Sequence, residues 1–169
     1  MKKIALLLPL VALLLGGCAG YHVGPVQPTF MKGVKTIAVP SFKNTTLMPR
    51  LEVLTADIVI RQIQQDGTYG ITSSDKADAV LQGTIVAITR SPMRSLRENV
   101  LTTTEFNVTV QLRYKLVRRE TGEEIETRTV DGTTSFYTGN DPNEGERQAI
   151  PLAIQDAAVR MVSQISEGW

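Results

Sequence analysis

Residues 106–116 read Phe106-Asn107-Val108-Thr109-Val110-Gln111-Leu112-Arg113-Tyr114-Lys115-Leu116. Apolar and polar side chains alternate here without a break. Successive side chains of a strand point to opposite faces, so Phe106, Val108, Val110, Leu112, Tyr114 and Leu116 share one face, whereas a helix would scatter them around its axis. The run predicts a long strand from Leu101 to Val117, with one face in a core and the other in water or against a partner. Arg118 to Glu124 supplies a glycine-containing turn, and Ile125 to Tyr137 returns as the second arm of a hairpin.

Upstream, Ala79 to Thr89 is rich in Val and Ile and predicts another strand, in which Gly83 marks a bulge or a close backbone approach. Val34 to Pro40 predicts a short buried strand, Ser41 to Thr46 a polar loop, and Tyr69 to Thr72 a possible short strand. Two segments switch to helical spacing. From Pro49, Leu51, Leu54, Ile58 and Ile63 recur with Val53, Ala56 and Val59 until Asp66-Gly67 ends the pattern. A membrane-surface helix would carry more Lys and Arg on its polar face than the single Arg61 found there, so the stripe reads as core. From Glu146, Ile150, Ala153, Ile154, Ala157, Met161 and Ile165 form a second stripe, preceded by Thr138 to Gly145 as a loop. Two amphipathic helices each need an apolar surface, and only the sheet can supply one. The expected fold is α+β: a two-layer sandwich with an approximately four-stranded mixed sheet and both helices packed on one face.

The N-terminus has a different character. Met1-Lys2-Lys3 is basic, Ile4 to Leu15 is apolar apart from Pro9, and the run ends in Gly16-Gly17-Cys18, which holds the only cysteine. This is the pattern of a secretory signal, too short to span a bilayer comfortably. Leu15-Gly16-Gly17-Cys18 also resembles the bacterial lipobox, as opposed to an ordinary signal that happens to contain a cysteine. That resemblance implies cleavage before Cys18, lipid on its sulfur and a protein anchored to the membrane rather than inserted through it. Ala19 resembles the residues that let lipoproteins travel on to the outer membrane. The expected organisation is a signal peptide at 1–17, an extended Gly/Pro-rich tether at 18–33 and one domain at 34–169.

The 169 residues carry 18 Lys+Arg against 17 Asp+Glu, and two of the cations lie in the signal. The near-neutral balance gives no argument for nucleic acid. Once Cys18 carries lipid, no thiol remains for disulfides, thiol catalysis or metal ligation. His22, the single histidine, has no second histidine or nucleophile beside it. There is no glycine-rich phosphate loop, no G-x-S-x-G elbow and no paired-histidine motif, so the expectation is no enzyme and no cofactor. The better functional candidate is Arg90 to Asn99, which breaks the strand pattern and holds Arg90, Arg94 and Arg97. Guanidinium groups form bidentate hydrogen bonds to phosphate, and in an outer-membrane setting the obvious anionic ligand is phosphorylated lipid A. A solvated loop with scattered positive charge explains the same residues.

Taken together, the lipobox with Gly20-Tyr21-His22, the run Val34-Lys35-Thr36-Ile37-Ala38-Val39-Pro40-Ser41-Phe42-Lys43-Asn44-Thr45-Thr46, Pro49-Arg50-Leu51-Glu52, Asp66-Gly67-Thr68-Tyr69, and Ala77 to Ile85 resemble the lipopolysaccharide-assembly lipoproteins, the LptE family. About half of the mature chain carries the match. Members usually place Gly-Tyr directly after the cysteine, and here Ala19 intervenes. The resemblance implies a sheet with two helices on one side and a non-enzymatic plug subunit inside the outer-membrane barrel LptD. It also implies a role in assembling that barrel and delivering lipopolysaccharide to the cell surface from the periplasmic face. A different class of function, a periplasmic lipoprotein that scaffolds a secretion or efflux assembly, would share the anchor and the strand-helix opening.

Overall fold

The alternation over residues 106–116 is realised in β5 (Asn99–Arg118), the central member of an antiparallel meander with β4 (Ala79–Leu96) and β6 (Glu124–Tyr137). The computed structural model describes residues 27–96, 99–137 and 142–168. Register brings Leu116 opposite Leu81 on one side, and Leu112 between Ile85 and Val130. All five side chains are buried, so the apolar face of the strand is the sheet's core face. Thr109, Arg113 and Thr127 lie on the opposite face, which no helix among the described residues covers.

Three short parallel strands complete the sheet. β1 (Thr36–Ala38) pairs with β4 and with β3 (Gly70–Ile71), while β2 (Lys43–Asn44) pairs with β4 farther along the same edge. The sheet therefore has six strands in the order β3-β1-β4-β5-β6, with β2 beside β4, where about four were expected. The discrepancy has a local cause: a two-residue strand shows no measurable period, so β2 reads as part of a polar loop. The same segment hides Phe42, whose ring is buried over Gly83. A methyl on Gly83 would overlap that ring, which makes the glycine a close-approach site; the first register irregularity in β4 falls instead between Ile85 and Ala87.

Both helices lie on the core face. α1 (Glu52–Asp66) buries Thr55, Ala56, Ile58, Val59 and Ile63 and ends at Gly67, whose left-handed φ of 77° lets its N–H reach the Ile63 carbonyl at 3.1 Å. Val53, expected in the apolar stripe, is 62 % exposed. α2 (Pro142–Glu167) starts four residues before the expected Glu146, with proline at its first position, where the missing N–H costs nothing. Its inner face alternates Ile150, Ile154 and Ile165 with Ala153, Ala157 and Ala158, all buried. Each isoleucine contributes about 2–3 kcal/mol by leaving water. The alanines let the helix backbone descend onto β6 at Gly132, where an added Cβ would meet Ala153 O and Ala157 N. Tyr69 donates its hydroxyl to Ile165 O at 3.1 Å, which ties the end of α2 to the segment after α1; burial and then the charge of Asp66 push its pKa up to about 12.

The stretch expected as the end of an extended tether is packed into the domain. Thr29–Met31 forms one 3₁₀ turn, Met31 and Val34 are fully buried, and Gln27 Nε2 donates to Val34 O at 3.2 Å. Beside it, Asp78 fastens β1 to the start of β4. Its Oδ2 accepts from Lys35 N, Thr36 N and Thr36 Oγ1, each at 2.9 Å. The backbone N–H of Lys35 first, and then the hydroxyl and N–H of Thr36, hold this carboxyl below its ordinary value of 3.8. A depressed folded value means that the stabilisation is fully present above the unfolded value and is lost as pH falls through the folded one. Urea midpoints of the wild type are expected to drop on acidification below about pH 4. Asp78→Asn should be less stable at neutral pH and lose less over that interval. Parallel pH profiles for the two proteins would remove Asp78 as the cause.

Candidate functional site

The segment that breaks the sequence pattern is part of the sheet. β4 runs on through Pro92 to Leu96, and β5 begins at Asn99, so Arg90 and Arg94 sit on a strand and not in a loop. β6 ends with Tyr137 opposite Glu105. Beyond that pair, β4 and β5 continue as a two-stranded ribbon; register irregularities fall just before it, between Pro92 and Arg94, and within it, between Arg94 and Ser95 and between Ser95 and Leu96. Arg90 to Arg94 therefore still lie across β5 from β6, and the alternation that stops at Thr89 stops inside the three-stranded sheet, where Arg90 takes a place on the face that carries Val108 and Val110.

At the root of the ribbon, Arg90 is engaged by its neighbours. Its Nη1 lies 3.2 Å from Glu146 Oε2 of α2, and its guanidinium lies 5.1 Å from the centroid of the Phe106 ring. Phe106 in turn stacks on Phe136 of β6, with centroids 5.9 Å apart and planes at 22°. The geometry makes Arg90 a clamp between β4, β5 and α2, with its charge already shared with a carboxylate. Arg94 is opposite Glu105 in the ribbon. Arg97 lies outside the described residues, as does Cys18. The structure thus brings Arg90 and Arg94 to one end of the meander. Sequence reasoning missed Glu146, Phe106 and Phe136 as partners of Arg90. Glu146 is 56 residues away from Arg90, and no local pattern announces such a pair.

The Arg90 side chain is 45 % exposed, so its ion pair is partly screened. Glu146→Gln is expected to lower stability by at most about 1 kcal/mol, and by less in 1 M salt. Urea unfolding at low and high ionic strength measures this; a salt-independent loss would mean that packing, not charge, dominates at this corner.

The uncovered face of the sheet carries a second group of charges near its other end. Lys43 on β2, with Arg113 and Lys115 on β5, rim a shallow basin of about 500 Å³ floored by Gln82 and Thr84. Lys115 Nζ pairs with Glu124 Oε2 at 2.5 Å, and this hydrogen bond holds the Glu124 carboxyl below its ordinary value. Under the sheet, the buried Tyr114 hydroxyl lies 3.2 Å from both Glu126 Oε2 and Gln164 Oε1 and has its pKa raised, chiefly by burial and then by the charge of Glu126. On the helix side, Met48, Leu51, Leu54, Ile150 and Pro151 line an apolar groove of about 620 Å³ between the starts of α1 and α2. Among the described residues no cluster of His, Cys, Asp and Glu could hold a metal ion. No helix among them is long and apolar enough to cross a membrane.

Residues 34–165 match the model of a protein family described as LptE, lipopolysaccharide-assembly. Comparison with curated proteins returns no match. Among solved structures, a minor lipoprotein from Acinetobacter baumannii superposes with a TM-score of 0.54 at 18 % identity, covering 80 % of this chain and 94 % of that one. A Xanthomonas campestris protein gives 0.57 at 13 % identity, with 87 % and 92 % covered. PelC of Paraburkholderia phytofirmans, a dodecamer, gives 0.53 at 15 % identity, with 79 % and 88 % covered. At these identities the likenesses are of fold.

Proposed function

The chain belongs to the lipopolysaccharide-assembly family LptE, and from that premise we propose that it is a lipoprotein of the outer membrane, anchored through Cys18 on the periplasmic face. There it associates with an LptD-like β-barrel translocon, helps that barrel assemble, and assists delivery of lipopolysaccharide to the surface. The family match across residues 34–165 carries this reading. Its role is non-enzymatic: the domain supplies binding surfaces, and the ribbon beyond β6 supplies reach. The polar sheet face suits the polar interior expected of such a barrel. In this reading the arginines at 90, 94 and 97 are the lipopolysaccharide contacts, with Arg94 and Arg97 meeting phosphate and Arg90 holding the ribbon root against α2.

The deciding experiment is affinity purification of the lipidated protein from detergent-solubilised outer membranes. A large β-barrel is expected to co-elute, and depletion of the protein is expected to reduce surface lipopolysaccharide. Recovery as a free monomer with unchanged lipopolysaccharide export would sink the proposal. Cross-linking to inner-membrane or secretin partners would transfer the protein to the scaffold reading. For the arginines, the triple variant Arg90→Ala, Arg94→Ala, Arg97→Ala is expected to bind lipopolysaccharide about tenfold more weakly, a change of about 1.4 kcal/mol. Unaltered binding by the folded variant would leave them as a solvated ribbon.

A further inference from the structure

We infer that the groove between α1 and α2 is a docking site for an acidic amphipathic helix of another protein. The two helices lie side by side: Ser166 Oγ donates to Asp66 Oδ2 at 3.3 Å where both end, and Leu51 and Ile150 line the groove near their starts. The groove does not stop there. A second hollow of about 330 Å³, lined by Ile58, Arg61, Leu152 and Gln155, shares Leu54 and Pro151 with the first. Together they form one furrow beside α1, whose 15 residues span about 22 Å, the length of about four helical turns.

Its walls combine apolar surface with one sign of charge. The two linings hold Arg50, Arg61 and Arg147 and no carboxylate. Arg50 and Arg61 are exposed and form no ion pair among the described residues. Leu152, on the rim, is 55 % exposed. Arg50 supplies an independent sign of use. It holds a φ of 66°, in the left-handed region that glycine would occupy without strain, and is the one non-glycine residue to do so among those described. Strain of this kind persists where the side chain serves a site.

The shape selects the occupant. An extended peptide needs backbone donors and acceptors, and the flanks of two helices offer none, because their N–H and C=O groups bond along their own axes. A helix brings its own backbone bonds satisfied, fills the furrow with apolar residues at i, i+3 and i+7, and sets Asp or Glu beside the arginines. A membrane surface fits poorly, because the furrow is concave and its wide mouth lies far from the anchored end. The chain toward Cys18 leaves beside the last turn of α2, where a Cβ on Gly168 would lie 3.2 Å from Pro28. Arg147 lies about 30 Å back along the same helix. An outer-membrane barrel spans with strands, so the helix belongs to a different partner, and barrel association and helix docking can fail separately.

The test is fluorescence anisotropy on the lipidated full chain in nanodiscs of phosphatidylcholine. The probes are labelled helical peptides: one with leucines at i, i+3, i+7 and i+10 flanked by glutamates, one with lysines in place of the glutamates, and one with the leucines of the first scattered around the axis. Saturable binding is expected for the first, and binding at least about tenfold weaker for the other two. Arg50→Gly with Arg61→Gln should weaken the first peptide about tenfold, as should Leu152→Glu. The urea midpoint of the arginine variant should be no lower than that of the wild type, because both side chains are exposed and glycine relieves the strain at position 50. Lys43→Gln, on the uncovered sheet face, should bind as the wild type does. A benzophenone carried by Gln155→Cys should cross-link to the first peptide. Equal affinity for the glutamate and lysine peptides overturns the assignment, as does wild-type affinity in the arginine variant or no saturable binding at all. Cross-links from the benzophenone to nanodisc lipid alone overturn it in favour of a membrane surface.

Discussion

Gly132→Val is expected to cost the domain on the order of 4 kcal/mol, a large fraction of the stability of an ordinary domain. The cause is the seat of α2. At Gly132 the helix backbone itself, Ala153 O and Ala157 N, together with the Ala157 methyl, occupies the space that any Cβ would need. A flexible side chain could swing away, but backbone atoms inside a helix cannot yield without lifting the helix. Lifting α2 would expose Ile154, Met161 and Ile165, which are buried against the sheet and α1. Urea unfolding followed by circular dichroism measures the loss. A midpoint equal to that of the wild type would show that the helix does not rest on this residue.

The second large effect is expected at Phe42. Phe42→Ala removes a ring that is 3 % exposed and fills the space above Gly83, at a cost of about 3–5 kcal/mol. Gly83→Ala in the intact protein forces a methyl into that same ring and should cost about 1–3 kcal/mol. With both changes made, the new methyl enters the vacated space. The double variant should therefore be more stable than the sum of the single losses implies, with a coupling of at least about 1 kcal/mol. Strict additivity would mean that the two positions do not share the space.

Periodicity made the meander and both helix stripes legible because those elements are long and one face of each is buried. Val108 to Leu116 could be assigned to the core, and Gly67 to a helix end, from residue type alone. Phe42 could not, because its neighbours Ser41 and Lys43 are polar and its burial depends on a glycine 41 positions later. The partners of Arg90 were hidden for the same reason: they belong to β5, β6 and α2, and only the folded sheet gathers them. The short strands β2 and β3 are defined by pairing rather than pattern. At the candidate site the arginine cluster was visible as composition, while its setting was not, since strand pairing across β5 to β6 leaves no mark on the residues of β4 themselves. Lys43 joined Arg113 and Lys115 only through strand register.

The ribbon also separates two quantities that proteins usually trade against each other. Residues beyond the Glu105–Tyr137 pair have strand partners only in one another. Removing two residues from each strand there would shorten the projection by about 7 Å and preserve the face on which every remaining side chain emerges. The core, which reaches along the meander as far as Phe136, would not register the change. How far the end of the ribbon stands from the body is therefore set by a length that evolution or a designer can cut and extend like a ruler, with the stability of the domain left alone.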